Sequence, residues 1–362
     1  MKIAYFEELL DLVPNGGMAI WANRLICYLK SKGIEADLYS FSDIATMIPD
    51  AMKTYPNLRE VFIYPYLGNK LLTEIEDDYD LFQLVSPHTL ALHKKRKPTI
   101  ITVQYLISRQ VLQLEKYLPA KYRLFFNPLS FAVFLKSEIM GMRKADLITV
   151  QREDYKNYLI EKMGIAPEKI KIIKLGIDHD KFRPAIKRND QENIILYVGR
   201  GSLPKGFDTL VKAAKTIHGK IVAVASQIPR YIQHELSKLD NVEVIPKIDH
   251  MKIASLYQQS SVFVLPSLTE SCPMVTLEAM ACGLPVVCTT EGSGEHIEDG
   301  VNGYIIPFND DVKLAEKVNF LLDHKHIANE FGQYNRHKVE TELSLSTIGN
   351  QFKSLYQELV RN

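Results

Sequence analysis

The stretch Ser267–Thr290, SLTESCPMVTLEAMACGLPVVCTT, constrains the fold of this chain more tightly than any other. An apolar run, Val262–Leu265, precedes it and reads as a buried strand that Pro266 and Ser267 break. Pro273 stands where a helix can begin, because a first-turn proline loses no hydrogen bond. Val275, Leu277, Met280 and Ala281 recur at helical spacing, and Gly283 with Pro285 ends the helix. Val286–Cys288 is the next strand. Strand, loop, helix and strand form the repeat of a parallel α/β sheet.

Two acids mark this unit chemically. Glu270 lies in the loop before the helix and Glu278 on the helix itself. A loop after a strand sits at the carboxyl edge of the sheet, where open α/β sheets bind ligands. The helix start offers backbone N–H groups to an anion. Carboxylates suit hydroxyl groups, from which they can accept in pairs. A ligand with phosphate and many hydroxyls, a nucleotide sugar, would use all of these parts. On spacing alone, a capping acid and a solvated helix glutamate remain the alternative.

E-x7-E followed by AMACG-P-V resembles the donor-site signature of retaining glycosyltransferases of the GT-B fold, of the group 1 or family 4 type. The resemblance covers nearly the full length, strongly in the second half and weakly in the first. It implies an α/β chain of two Rossmann-like domains facing a cleft, with a C-terminal helix crossing back to the first. The expected divisions are an acceptor-side domain over residues 1–185, a donor-binding domain over 186–345 and the helix over 346–362.

The bulk numbers agree with two domains, since 362 residues exceed one usual core. A net charge of +1 gives the whole molecule no polyelectrolyte character. For the molecule as a whole, nucleic acid is not an expected partner. No run reaches the ~18 apolar residues of a membrane span. Met1-Lys2 leads straight into Ile3–Phe6, so no signal peptide is expected. Cys27, Cys272, Cys282 and Cys288 lack metal-site spacing, and the expected setting is a reducing cytoplasm.

In the first half, Ile3–Phe6, the Pro14-Asn15-Gly16-Gly17 loop, a helix through Ile20–Leu29 and the strand Ala36–Phe41 make a Rossmann-like opening. No G-x-G-x-x-G is present. Gly16-Gly17 reads as a tight turn or as a close approach to a diphosphate, and the resemblance favours the second. Ser86-Pro87-His88 and Gln104-Tyr105 follow the strands Leu81–Val85 and Thr99–Val103. His88, Gln104 and Tyr105 are thus candidates for the acceptor or sugar side. Many relatives carry a histidine where this chain has Gln104, which can hydrogen-bond a hydroxyl but cannot change charge. Residues 91–145 hold eleven basic residues against two acids, with Tyr117, Tyr122, Phe125, Phe126, Phe131 and Phe134 among them. That mixture suits an anionic membrane interface, a phosphate-bearing acceptor or in principle nucleic acid, or an ordinary core with a solvated basic face.

Gly176-Ile177-Asp178 and Phe182-Arg183-Pro184 match the family's approach to the interdomain linker, read here as Lys187–Glu192. Gly199-Arg200 and Lys205-Gly206 then leave the strand Ile194–Val198 with the spacing R-x4-K, two cations able to neutralise a diphosphate. Asp299–Tyr304 reads as a hairpin-like turn.

What the resemblance implies is sugar transfer from a UDP- or GDP-sugar to a glycan or lipid-linked acceptor with retention. Arg200, Lys205 and Glu270 are the expected catalytic residues. Donor contacts are expected from Gly16, Gly17, Gly199, Cys272, Pro273, Met274, Val275, Thr276 and Glu278. No cofactor and no metal is expected, the nucleotide sugar being a co-substrate. Peripheral contact with an anionic membrane through 91–145 is the expected localisation beyond the cytoplasm. A nucleotide-sugar epimerase and a catalytically silent donor-binding subunit are the alternatives.

Overall fold

The computed structural model describes residues 1–6, 17–40, 43, 64–104, 106, 108–109, 112, 128–186, 192–246, 248, 252–270 and 272–361. Expectations for Gly16, Tyr105, Tyr117, Tyr122, Phe125 and Phe126, and for the linker up to residue 191, lie outside these residues. Two compact units are formed, Met1–Leu175 with Leu345–Asn362, and Gly176–Ser344.

The first unit is built on six parallel strands, β1 (Lys2–Phe6), β2 (Glu35–Tyr39), β3 (Leu81–Leu84), β4 (Thr99–Thr102), β5 (Leu147–Val150) and β6 (Ile170–Ile172). Their order is β2-β1-β3-β4-β5-β6. Every residue of β3, β4 and β5 is buried, as strands covered on both faces must be. The helix Gly17–Ser31 turns Trp21, Leu25 and Leu29 inward at four-residue spacing.

The helix Leu345–Arg361 completes this unit. Ile348, Phe352, Leu355 and Tyr356 form its buried stripe. The Phe352 ring meets Trp21 edge-on, with centroids 5.7 Å apart. Gly349 lets the two helices approach, because a Cβ there would lie 2.3 Å from Tyr28 Cδ1. Beneath the helix runs a buried polar ladder. The Tyr356 hydroxyl donates to Gln83 Oε1. Gln83 Nε2 donates to Thr102 Oγ1 at 2.8 Å, and Thr149 Oγ1 donates to the same oxygen at 2.8 Å. Buried polar groups in hydrophobic surroundings are tolerated when paired in this way.

The second unit holds β7 (Ile194–Arg200), β8 (Lys220–Ser226), β9 (Val242–Ile245), β10 (Val262–Leu265), β11 (Val286–Cys288) and β12 (Gly303–Ile305). All pair in parallel, in the order β12-β11-β10-β7-β8-β9. The chain runs outward from β7 to β9 on one side and from β10 to β12 on the other. The switch point therefore falls between the neighbours β7 and β10, whose carboxyl ends lie side by side.

Two expectations are corrected. Residues 176–185, assigned by the sequence to the first domain, belong to the second unit. The Ile177 N–H donates to Leu343 O at 2.9 Å. Arg336 Nη1 donates to the carbonyls of His179 and Phe182 at 2.8 and 2.9 Å, and the fully buried Phe182 ring meets Tyr257 edge-on. Side-chain burial, not the charged linker that follows, decides the boundary. The turn before Tyr304 is not a hairpin turn, since β11 and β12 pair in parallel. Asn302 closes it locally, its Oδ1 accepting from the Glu298 N–H at 2.7 Å. Among the described residues, no helix is long and apolar enough to cross a membrane.

Candidate functional site

The loops leaving β7 and β10 carry the charged residues of interest. After β7 the chain makes one 3-10 turn, Leu203–Lys205, and then Gly206 takes φ 65° before the helix Phe207–Ala213. Only glycine fits there. Its φ lies in the left-handed region, and an added Cβ would sit 1.9 Å from Pro266 O. The Leu268 N–H donates to Pro204 O at 2.9 Å. The two loops are thus joined backbone to backbone. The buried Tyr197 hydroxyl stiffens the first by donating to Arg200 O at 2.7 Å and contacting Lys205 O at 3.3 Å. Burial raises its pKa well above the ordinary tyrosine value, so it stays a donor.

This architecture brings Lys205 Nζ to 2.5 Å from Glu270 Oε1, across 65 residues of sequence. Ser267 Oγ donates to the same carboxylate oxygen at 3.0 Å. Arg200 is exposed at the end of β7. The helix Met274–Ala281 begins after Pro273 with no side-chain cap. Its first intrahelical acceptor is Pro273 O, which takes the Thr276 N–H at 3.0 Å. Met274 and Val275 therefore present the leading N–H groups, and those of an uncapped helix attract an anion. Thr276 is occupied otherwise, with Oγ1 donating to Gly292 O at 2.8 Å. Cys272 Sγ lies 3.6 Å from His296 Nε2, both buried. Glu278 is buried on the helix, and its Oε2 accepts from the Tyr257 hydroxyl at 2.9 Å. That tyrosine is fully buried, which raises its pKa well above the ordinary value and keeps the proton on it. Gly199 is half-buried, with an added Cβ 3.0 Å from the Tyr197 hydroxyl. Arg200, Lys205, Glu270, Glu278 and the start of the helix thus lie in one unit, around one switch point.

Sequence reasoning passed over Ser267, Thr289, Tyr197 and Tyr257. For Ser267 and Thr289 a signal existed, namely hydroxyl residues directly beyond the carboxyl ends of buried strands. For the two tyrosines none did, since their partners are set by packing.

The residues expected on the acceptor side belong to the first unit. Gln104 is buried just beyond β4, and its Nε2 has no hydrogen-bond partner among the described residues. Gly17 opens the helix Gly17–Ser31. His88 is buried, with Nδ1 3.0 Å from Ser137 Oγ, its ring edge-on to Phe134 and Nε2 3.8 Å from Glu138 Oε1. Burial lowers its pKa from 6.5 to about 4. The folded chain thus resists a proton that the unfolded chain binds below pH 6.5. Stability is therefore full above that pH and falls as pH drops toward about 4, by about 3 kcal/mol in total. Urea unfolding between pH 7 and 4 checks this: His88→Asn removes that share of the slope, and an unchanged slope contradicts it.

Part of the basic stretch 91–145 faces inward. Lys95 pairs with Asp146, Lys144 Nζ donates to the carbonyls of Ala91 and His93, and Arg109 Nη2 pairs with Asp154 at 2.6 Å. Lys94, Lys136 and Arg143 are exposed.

Comparison with known proteins gives the same picture. A family model described as "Glycosyl transferases group 1" matches residues 178–338, and one described as "Glycosyltransferase Family 4" matches residues 15–181. The D-inositol 3-phosphate glycosyltransferase 2 of Catenulispora acidiphila is 26% identical, over 88% of this chain and 84% of that protein. Sucrose-phosphate synthase from Thermosynechococcus elongatus superposes with a TM-score of 0.82 at 20% identity, over 99% of both chains. The Anabaena protein HepE, solved in complex with UDP and glucose, superposes with a TM-score of 0.74 at 17% identity, over 99% of this chain and 100% of that one. Two adjoining family models and one two-sheet architecture thus lead to a single conclusion: the chain belongs to the GT-B group 1 glycosyltransferases.

Proposed function

We propose that the chain transfers a hexose from a UDP- or GDP-sugar to a glycan or lipid-linked acceptor, with retention of anomeric configuration. The observation that carries this reading is the Lys205–Glu270 pair at the switch point, beside an uncapped helix start and the buried Glu278. Lys205, Arg200 and the leading N–H groups of Met274 and Val275 meet the diphosphate. Glu270 accepts from hydroxyls of the transferred sugar and Glu278 from those of the ribose. The UDP and glucose bound to HepE support a donor of this class.

In the reaction the bond from the anomeric carbon to the donor phosphate breaks, and a bond from that carbon to the acceptor oxygen forms on the same face. A phosphate oxygen of the departing nucleoside diphosphate takes the acceptor proton. Negative charge grows on that diphosphate in the transition state, where fixed cations and backbone donors act most strongly. The two cations supply the countercharge, so the reading assigns no part to a metal. We assign Gln104, whose buried Nε2 has no partner among the described residues, to the sugar side. Exposed Lys94, Lys136 and Arg143 support peripheral contact with anionic lipid at the cytoplasmic face.

The test is release of nucleoside diphosphate from UDP-, GDP-, ADP- and dTDP-hexoses, with and without a lipid extract, beside Glu270→Ala. Release from one donor, raised by the extract and lost in the variant, is expected. A donor that binds and is never turned over with any acceptor overturns the transferase reading.

A further inference from the structure

We propose that Ser267 and Thr289 are positioning residues for Glu270, forming a hydroxyl relay that sets the angle at which this carboxylate meets the donor sugar. The proposal rests on the donor-site reading above. Ser267 is fully buried, and its hydroxyl is directed at Glu270 Oε1, 3.0 Å away. A serine with a purely local role turns its hydroxyl to a nearby backbone carbonyl, as Ser260 does to Leu256 O and Ser293 to Thr290 O. Ser267 donates to the charged group instead.

The geometry shows what this second donor adds. Lys205 Nζ also donates to Oε1, at 2.5 Å. An ammonium on a flexible stem fixes a distance but leaves the carboxylate plane free to turn. A hydroxyl three residues back on the same loop, donating to the same oxygen, narrows that freedom. The relay continues past Ser267. Thr289 Oγ1 donates to Ser267 O at 2.5 Å and accepts from the Gly292 N–H at 3.1 Å. Thr289 caps the short helix Thr290–Ser293, so its hydroxyl is held at both ends. Gly292 has no room for a side chain, because an added Cβ would lie 2.3 Å from Leu265 O. The orientation of Glu270 is thus referred, through the Ser267 hydroxyl and then through the Ser267 backbone carbonyl to the Thr289 hydroxyl, to the carboxyl ends of β10 and β11.

A group that orients the acid acts on the reacting complex more than on donor capture. Ser267→Ala is therefore expected to lower kcat by about tenfold or more, with donor KM changed by less. Position 289 separates the relay from simple packing. Thr289→Val keeps the volume and loses the hydroxyl, whereas Thr289→Ser keeps the hydroxyl and loses the methyl. The relay requires that valine lower kcat and serine restore it. A packing role requires the reverse order.

The closing experiment combines these kinetics, run on whichever hexose nucleotide is turned over, with crystal structures of Ser267→Ala and Thr289→Val that need no donor. A changed Glu270 rotamer in both structures, with the kcat order Ser above Val, supports the relay. An unchanged Glu270 rotamer, or unchanged kcat in Ser267→Ala, overturns it. Glu270→Gln is run beside them. Full turnover in that variant sinks the donor-site reading, while the Glu270 rotamers still decide whether the relay exists.

Discussion

Lys205→Ala lowers kcat/KM for sugar transfer by roughly 100- to 1000-fold, most of it in kcat. The lysine is held on a loop stiffened by Tyr197 and tied to the next loop by the Leu268–Pro204 backbone bond, so its charge is in place before the donor arrives. Preorganised charge contributes most where charge develops, which in the proposed transfer is on the leaving diphosphate. A folding effect is measured beside it, because the side chains of Lys205 and Glu270 are only 20% and 13% exposed and removing the lysine leaves the carboxylate with one cation fewer. Steady-state kinetics beside thermal unfolding separate the two effects. Wild-type kcat/KM in Lys205→Ala would show that the lysine has no part in transfer.

Gly206→Ala lowers unfolding free energy by about 3 kcal/mol or more and reduces transfer with it. Two penalties coincide at this residue. Its φ of 65° strains any side chain, and the new Cβ would lie 1.9 Å from Pro266 O, inside contact distance. Relief requires the Pro266–Ser267 backbone to shift away, which separates the loop of Lys205 from the loop of Glu270. Gly300→Ala is the control, with φ 76° and nothing within 4 Å of the added Cβ, so only the backbone strain of about 1 kcal/mol applies. Urea unfolding of both variants decides the point, and equal losses would refute the steric argument.

The clustering of Arg200, Lys205 and Glu270 was legible because it follows the grammar of a parallel sheet. Arg200, Lys205 and Glu270 each sit a few residues beyond an apolar strand run, and such loops share one sheet edge whatever their separation in sequence. The meeting of Lys205 with Glu270 needed one further fact, that β7 and β10 are neighbours, which the repeat of strands does not state. Hydroxyl partners were less legible. Tyr257 serves Glu278 from another helix, and nothing in the residues around it announces that pairing. Thr276 shows a limit of motif reading, since its hydroxyl and N–H both serve the protein itself. His88 shows another: its place after a strand suggested a ligand contact, and the structure buries it against Phe134 and Ser137. The domain boundary was misjudged because charge and polarity mark Lys187–Glu192 as a linker, whereas the units divide at Leu175, before Phe182 enters the second core.

The second unit is one continuous segment, Gly176–Ser344, while the first is made of two pieces that flank it. On the ribosome this imposes an order. The second unit has all its residues once Ser344 has emerged, and its core can close at that moment. The first unit has all six of its strands earlier, by Ile172, yet Gln83 and Trp21 must wait for Tyr356 and Phe352. The half synthesised first is therefore finished last, and a chain truncated after Ser344 keeps every residue of the second unit but leaves the first unsealed.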